Sequence, residues 1–271
     1  MEPGPDAGGE GSTIEWVEHL GRYELFQSED CFPLGSDTLA LGRFATVRRR
    51  WQVCDLGCGS GALGLLLLER EPSLVLTGVE RDPAAADVAR RTFEVNGLAV
   101  KILTGDLRDR EILPAGRFDL AVSNPPWYPQ GAGTSGGPAR CEEYCTLDEL
   151  CAVARRIVRN GGRFALVHRP ERLPDLFSAL EGNGFAPKRM ALVQHRTDTP
   201  PSAVLLEAVR QGRPGLEVLP TIWSKRAPPA GAGSLLWRET AAGELPQGGG
   251  EAHPSPEYGS GQKNGNPLPH T

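Results

Sequence analysis

The residues with the clearest chemical potential lie in the stretch SNPPW (residues 123–127), directly after the apolar run FDLAVS (residues 118–123). Two consecutive prolines end a β-strand, because neither has a backbone N–H to donate to a neighbouring strand. A simple turn needs neither an amide side chain nor a tryptophan. The Asn124 side chain and the Pro125 carbonyl can both accept hydrogen bonds. The stretch is therefore either a candidate site or a strand terminator with a core tryptophan.

A second chemical feature is the glycine-rich stretch DLGCGSG (residues 55–61), between an apolar segment and a helical one. Gly57, Gly59 and Gly61 let the backbone turn sharply and approach a ligand without Cβ clashes. The helix that follows supplies free N–H groups at its N-terminus. The G-x-G-x-G spacing differs from the G-x-G-x-x-G fingerprint of dinucleotide-binding proteins. By itself the stretch fits a ligand cradle and a tight loop equally well.

Acidic residues at the ends of the next two predicted strands favour the ligand cradle. Glu80 ends the second strand and Asp106 ends the third. In a doubly wound sheet the carboxyl ends of the strands line the ligand crevice, where Glu80 can accept both hydroxyls of a ribose. Asp106 can accept a hydrogen bond from an adenine amino group. With Asp55, three carboxylates end three successive strands beside the glycine-rich turn, whereas each acid alone would be read as a solvated turn residue.

The elements that must position these residues alternate along the chain. Strands are predicted at residues 51–56, 74–80, 100–106, 117–123, 163–170, 188–195 and 202–209. Helices are predicted at residues 62–70, 83–97, 146–162 and 172–185. This alternation indicates βαβ units in a mainly parallel sheet. The last two strands have no helix between them and predict an antiparallel edge pair. Ahead of the alternation, residues 21–45 predict a small hairpin and then a helix.

The charge of the chain neither supports nor excludes a nucleic-acid partner. Residues 14–226 carry 27 acidic and 27 basic side chains, whereas the flanks carry the other 7 acidic and 2 basic ones and so produce the net charge of −5. The arginine clusters at residues 48–50 and 155–156 are interpreted as solvated faces. The flanks, at residues 1–13 and 227–271, are rich in Gly and Pro and predict disordered tails around a folded domain at residues 14–226.

Cysteine spacing and hydropathy predict neither a metal site nor a membrane partner. Five of the six cysteines are spaced C-x3-C and C-x3-C-x5-C, unlike the paired C-x2-C of zinc sites, and all six are read as reduced structural residues. No run of 18 or more apolar residues occurs, and the N-terminus lacks the pattern of a signal peptide. We therefore expect a cytoplasmic protein.

The glycine-rich stretch, with Glu80 and Asp106, resembles the cofactor-binding half of class I S-adenosylmethionine-dependent methyltransferases, and SNPPW resembles the NPP-aromatic motif of members that methylate planar nitrogens. The resemblance implies an α/β Rossmann-like fold with a seven-stranded, mostly parallel sheet, an antiparallel edge pair, helices on both faces, and residues 14–50 as an N-terminal extension. It implies S-adenosyl-L-methionine as the cofactor. It assigns cofactor binding to Asp37, Asp55, Gly57, Gly59, Gly61, Glu80, Asp106, Leu107 and Asn124.

The same resemblance assigns catalysis to Asn124, Pro125, Pro126 and Trp127. The lone pair of a planar nitrogen is delocalised, so the two acceptors must align the nitrogen with the methyl group and pull it towards a tetrahedral geometry. The paired prolines hold the Pro125 carbonyl outward. Trp127 offers a flat face on which a base or an amide stacks.

The flanks of these motifs, from about residue 20 to 222, resemble the bacterial tRNA (adenine-N6)-methyltransferase family. This resemblance implies tRNA as the partner and the exocyclic N6 of an adenine as the acceptor. Substrate binding is expected of Trp127, by stacking, and of Arg140, His168 and Arg169, whose side chains can contact phosphates or, as the alternative, form surface salt bridges.

The NPP-aromatic motif leaves other acceptors open. It serves adenine N6, guanine N2 and protein glutamine alike, so a glutamine N5-methyltransferase and a guanine N2 RNA methyltransferase remain alternatives. A non-catalytic binding module of the same fold is a further alternative, although the glycine-rich turn, the acid of the second strand and the NPP motif are all intact. The sequence does not predict an oligomeric state.

Overall fold

The structure is a computed structural model that describes residues 15–28, 31–125 and 145–223. The strands in these ranges are β1 (Glu15–Leu20), β2 (Tyr23–Ser28), β3 (Gln52–Leu56), β4 (Val75–Glu80), β5 (Lys101–Thr104), β6 (Phe118–Ser123), β7 (Val158–His168), β8 (Phe185–Gln194), β9 (Ala203–Arg210), β10 (Glu217–Val218) and β11 (Ile222–Trp223). The helices are α1 (Ser36–Phe44), α2 (Ala62–Arg70), α3 (Pro83–Val95), α4 (Leu147–Ile157) and α5 (Leu173–Gly182). The predicted tails, residues 1–13 and 227–271, lie outside the described ranges.

Nine of these strands form one sheet in the order β10-β8-β9-β7-β6-β3-β4-β5, with β11 also paired to β8. All pairs are parallel except those of β9, which runs antiparallel to both β7 and β8. The predicted fold class is therefore confirmed. The sheet has two strands more than the seven expected. The additional strands, β10 and β11, are two residues long, too short to show a period in the sequence.

Helices cover both faces of the sheet, and successive strand residues enter different cores. In β9, Leu205 belongs to the core cluster under α1, α2 and α3, whereas Val204 and Leu206 belong to the cluster under α4 and α5. This alternation follows from the two-residue period of a strand. Burial on both faces explains why the central strands are almost continuously apolar in the sequence.

The N-terminal hairpin begins earlier than predicted, at Glu15 rather than in residues 21–45. It is fastened to α3 by side chains of that helix and its C-cap. Asn96 Oδ1 accepts the Glu24 N–H at 3.0 Å, and Thr92 Oγ1 accepts the Phe26 N–H at 3.1 Å. Strand β1 is the outer strand of the hairpin, and its Trp16 is exposed. Because β1 is exposed, the alternation of apolar and polar residues that marks a strand is weak in its sequence.

The boundary between α4 and β7 differs from the prediction, which continued the helix to residue 162. The helix ends at Ile157, and β7 starts at Val158 and runs through Gly161 and Gly162. Gly161 has φ +74°, and a Cβ at Gly162 would lie 2.6 Å from a Val158 methyl carbon. The two glycines therefore allow an irregular turn inside the strand, which a sequence reading cannot distinguish from a helix stop.

A buried carboxylate fastens the segment after α1 to the sheet. Glu207 of β9 is fully buried and accepts hydrogen bonds from the backbone N–H and the hydroxyl of Thr46, at 2.7 and 2.8 Å. It also accepts from Arg163 of β7 at 2.7 Å and from Arg189 of β8 at 3.4 Å. Because the charge is paired and hydrogen-bonded, its burial is tolerated. One side chain thus holds three strands and the end of α1 together.

We predict that Glu207→Ala lowers the free energy of unfolding by roughly 3 kcal/mol, because it leaves two arginines and Thr46 without their buried acceptor. Urea denaturation followed by circular dichroism measures the change. The control is Asp198→Ala, which breaks the exposed ion pair with Arg196 and is expected to cost less than about 1 kcal/mol. Equal losses in the two variants would show that the Glu207 network does not hold the fold.

Candidate active site

The predicted site residues gather at the carboxyl edge of the sheet. Asp55 lies near the end of β3, which stands between β4 and β6 in the sheet. Glu80 ends β4, and Asn124 directly follows β6. The helices that follow β3 and β6 in the sequence, α2 and α4, pack on opposite faces of the sheet. The ends of β3 and β6 are therefore the usual place for a ligand crevice in an open α/β sheet.

The glycine-rich turn after β3 has a backbone that only glycine adopts easily. The φ angles of Gly57, Gly59 and Gly61 are +75°, +51° and +88°. A Cβ at Gly61 would lie 2.7 Å from the Phe93 ring, whereas one at Gly57 or Gly59 would meet nothing within 4 Å. The turn therefore has an open side at its first two glycines and is packed against α3 at the third. This shape fits a ligand that lies directly on the backbone.

Glu80 joins the end of β4 to that turn. Its Oε2 accepts the Gly59 N–H at 2.8 Å, and its Oε1 accepts the N–H groups of Arg81 and Asp82 at 2.8 and 3.0 Å. A carboxylate offers about four lone-pair positions. One lone-pair position of Glu80 is thus left to accept a hydrogen bond from a ligand hydroxyl. A second hydroxyl would have to share a position with a backbone N–H group or displace it. The predicted contact of Glu80 with two ribose hydroxyls stays a prediction.

Asp55 is the buried carboxyl of the site, with 2 % of its surface exposed. Its Oδ2 has no hydrogen-bond partner among the described residues. Burial raises the pKa of Asp55 to about 7, the nearby Glu80 charge adds to the rise, and a hydrogen bond from the Gly64 backbone opposes it. An orphaned carboxylate oxygen beside an open glycine turn fits a ligand that brings a cation or a hydrogen-bond donor, such as the amino-acid portion of S-adenosylmethionine.

Asp106, after β5, is held by an arginine in this structure. Arg108 donates to both carboxylate oxygens, at 3.0 and 2.6 Å, and also to Glu149 at 3.1 Å. The hydrogen bonds from Arg108 lower the pKa of Asp106. The Leu107 carbonyl accepts from Arg156 at 3.2 Å. Asp106 and Leu107 thus have fixed positions at the crevice, and their predicted contact with the adenine portion of the cofactor stays a prediction.

Asn124 is held from two directions. Its amide nitrogen donates to Thr38 Oγ1 of α1 at 3.0 Å. The preceding residue, Ser123, is buried and donates from its hydroxyl to the Leu56 carbonyl at 2.7 Å. The ends of β6 and β3 and the start of α1 are therefore joined around Asn124. Pro125 follows and is partly buried. The predicted catalytic residues Pro126 and Trp127 lie outside the described residues.

The start of α1 reaches the same edge of the sheet. Asp37 is partly buried, and burial raises its pKa, whereas His195, a hydrogen bond from Ser36 and the charge of Arg169 lower it. Asp37 thus lies near the ends of β7 and β8 as well as beside Thr38. Asp37 was predicted to lie in the site through the resemblance alone, whereas Ser123 and Arg108 were not predicted. Their polar side chains next to predicted site residues were the only signal.

The structure describes two of the three predicted phosphate contacts, His168 and Arg169. His168, at the end of β7, is 1 % exposed, and its Nδ1 accepts the Arg169 N–H at 2.8 Å. Burial lowers the pKa of His168 to about 4, so the ring is neutral near pH 7. The ring therefore brings no positive charge to a phosphate, and the predicted contact of His168 stays a prediction. Arg169 is partly buried beside Asp37, where its predicted role stays open, and Arg140 lies outside the described residues.

Among the described residues there is neither a candidate metal site nor a membrane-spanning helix. No group of three or more His, Cys, Asp or Glu side chains is placed to hold a metal ion in residues 15–28, 31–125 and 145–223. The helices in these ranges are also too short or too polar to cross a membrane.

Comparison with known proteins agrees with this geometry. The model of the methyltransferase small domain family matches residues 28–175, more than half of the chain. The chain belongs to this family. The match covers β3 to β7 with the glycine-rich turn, Glu80, Asp106 and Asn124. It confirms the predicted enzyme class, a class I methyltransferase, and S-adenosylmethionine as the cofactor of that class.

Individual relatives share part of the chain. The chain is 34% identical over 155 residues to a tRNA1(Val) (adenine(37)-N6)-methyltransferase of Cronobacter sakazakii, with 55% of the chain and 63% of the relative covered. It is 32% identical over 189 residues to a protein of the same name from Serratia proteamaculans, with 66% and 71% covered. The chain thus spans slightly less than two thirds of the Cronobacter relative.

A solved structure supports the fold alone. The crystal structure of a predicted O-methyltransferase from Agrobacterium tumefaciens matches with a TM-score of 0.58 at 24% identity, over 69% of this chain and 86% of that one. At this identity the similarity describes the arrangement of helices and strands and not the substrate.

We predict that the buried Asp55 carboxyl makes the free protein less stable as pH rises. Its pKa is about 7 in the folded chain and about 3.9 in an unfolded one. Between these values the unfolded chain loses the proton and the folded chain keeps it, so the contribution of Asp55 to stability falls by roughly 2 kcal/mol from pH 5 to pH 7. The Asp55→Asn variant should lack this loss.

Urea denaturation of both proteins at pH 5, 6 and 7 measures the difference. Comparing the two proteins cancels the opposite slope from His168, whose lowered pKa makes stability rise with pH in the same interval. Asp198→Asn, at an exposed position, is the matched control and should keep the wild-type slope. Parallel curves for wild type and Asp55→Asn would show that Asp55 ionises normally in the folded protein.

Proposed function

We propose that the protein is an S-adenosylmethionine-dependent N-methyltransferase that methylates the exocyclic N6 of an adenine in tRNA. The observation that carries the proposal is the position of Asn124, which is fixed at the end of β6 beside the glycine-rich turn. An amide oxygen and the Pro125 carbonyl at such a place are acceptors for the two hydrogens of an amino group.

The residues around the crevice fit the cofactor. Asp55, the open glycines 57 and 59, Glu80 and Asp106 would hold S-adenosylmethionine, and Asp37 would border it from α1. When bound, the cofactor supplies an electrophilic methyl group. The chain itself contributes alignment: the acceptors at residues 124 and 125 hold the amino nitrogen in one orientation, which lowers the entropic part of the barrier. Trp127 would add a stacking surface for the base.

The choice of adenine in tRNA rests on the relatives. The relatives cited above carry the name tRNA1(Val) (adenine(37)-N6)-methyltransferase. The family match over residues 28–175 includes these motifs, but the chain covers only part of the relatives, so the substrate belongs to the proposal. A tRNA substrate would also place the protein in the cytoplasm. Guanine N2 and protein glutamine are the alternatives that the same acceptors permit.

We predict that the protein transfers a methyl group to adenine N6 in tRNA. Total tRNA from cells that lack the active protein is incubated with the protein and S-adenosylmethionine, and the nucleosides are measured by mass spectrometry. N6-methyladenosine should rise with time. A rise of N2-methylguanosine instead would overturn the adenine proposal in favour of guanine. In a parallel reaction with labelled S-adenosylmethionine, label that survives ribonuclease and is lost to protease would overturn the tRNA proposal in favour of a protein substrate.

We predict that Asn124→Ala and Glu80→Ala separate catalysis from cofactor binding. Asn124→Ala removes an acceptor for the substrate, so kcat should fall by about 100-fold or more while the Kd for S-adenosylmethionine changes by less than about threefold. Glu80→Ala removes a charged hydrogen-bond acceptor and should weaken cofactor binding by roughly 10- to 100-fold. Calorimetry and initial rates measure the two effects. Loss of cofactor binding in Asn124→Ala would mean that Asn124 is structural.

A further inference from the structure

We infer that Thr38 is a positioning residue for the methyl-transfer site and sets the orientation of the Asn124 amide. The inference rests on the proposed function for its catalytic meaning. It rests on the structure for its geometry, since Thr38 Oγ1 accepts the hydrogen bond from Asn124 Nδ2 at 3.0 Å. The two residues are 86 positions apart in the chain and come from the N-terminal extension and from β6.

The orientation of this amide decides whether the site can accept an amine. An asparagine side chain has an oxygen acceptor on one side and an NH2 donor on the other. Rotation about its last torsion is broad and nearly two-fold, so the side chain has little preference of its own. With the nitrogen turned to Thr38, the oxygen lies on the opposite side of the amide. The reversed amide would present its NH2 group to the amino group of the substrate. Two hydrogen-bond donors would then face each other without an acceptor between them.

Thr38 is a suitable anchor because it is itself held rigidly. It is 7 % exposed in the first turn of α1, and a β-branched side chain has few rotamers in a helix. The helix packs closely on α2, where a Cβ at Gly42 would lie 2.7 Å from the Leu66 Cβ. Its C-terminal end is fastened through Thr46 to the buried Glu207.

The neighbouring bond fixes the backbone of Asn124 separately. Ser123 donates to the Leu56 carbonyl at 2.7 Å and joins β6 to β3. The backbone position of Asn124 is therefore set by Ser123 and the sheet, and the direction of its side-chain amide is set by Thr38. Loss of the Thr38 hydroxyl should therefore disturb the direction of the Asn124 amide and leave the backbone position of Asn124 intact.

The test compares Thr38→Val, which has nearly the same shape without a hydroxyl, with Thr38→Ser, which keeps the hydroxyl. In methyl transfer to tRNA, kcat should fall by about 10- to 100-fold in Thr38→Val, the scale expected for a misdirected catalytic group. Thr38→Ser should stay within about threefold of wild type, and the Kd for S-adenosylmethionine should stay within about threefold in both variants.

Two further variants make the test specific. Thr92→Val removes a buried threonine hydroxyl in α3, the acceptor for the Phe26 N–H, and should leave kcat unchanged. The double variant Thr38→Val with Asn124→Ala should be no slower than Asn124→Ala alone, because Thr38 acts through Asn124. A wild-type kcat in Thr38→Val, an equal loss in Thr92→Val, or independent losses in the double variant would overturn the inference. Thr38→Ala replaces Thr38→Val if the latter does not fold.

A spectroscopic measurement separates this inference from the proposed function. The side-chain amide protons of Asn124, assigned by their absence in Asn124→Ala, should exchange slowly with solvent in the free wild-type and Thr38→Ser proteins. They should exchange several-fold faster in Thr38→Val. Equal exchange in all three proteins overturns the role of Thr38 even if tRNA is methylated. Protected exchange in a wild-type protein that methylates no tRNA overturns the proposed substrate and keeps the positioning of the amide.

Discussion

The register of three parallel strand ends is the constraint on which the site depends. Strand β3 lies between β4 and β6, and its glycine-rich turn is attached to both neighbours. Gly59 donates to the Glu80 carboxylate at 2.8 Å, and the Leu56 carbonyl accepts from Ser123 at 2.7 Å. A shift of either neighbour by one residue would reverse the faces of its side chains. The cofactor residues and Asn124 meet only because these bonds align the strand ends.

The site combines groups with different tolerance for burial. Asp55 is buried with one oxygen unpartnered and a pKa raised by that burial, whereas Arg108 pairs Asp106 and lowers its pKa. Glu207, equally buried but far from the crevice, is fully paired. A protein of marginal stability retains an unsatisfied carboxylate where a ligand completes it. The contrast between Asp55 and Glu207 is the reason to propose that Asp55 binds a ligand, whereas Glu207 holds the fold.

The N-terminal extension takes part in the site rather than lying beside it. Helix α1 brings Asp37 and Thr38 to the carboxyl edge of the sheet, and its far end is fixed to β9 by Glu207. An element outside the βαβ alternation thus contacts a residue at the end of β6. Under the proposed function, this contact would add precision at the acceptor without a change in the strand that carries it.

The alternation of strands and helices, the antiparallel β8–β9 pair and the positions of Asp55, Glu80, Asp106 and Asn124 at strand ends could be predicted from the sequence, because periodicity and strand ends are local properties. The early end of α4 at Ile157, the burial of His168 and the Thr38–Asn124 hydrogen bond could be seen only in the folded chain. A glycine pair reads alike as a helix stop or a strand turn, and burial depends on which strands become neighbours. Contacts between residues 86 positions apart leave no periodic trace in a single sequence.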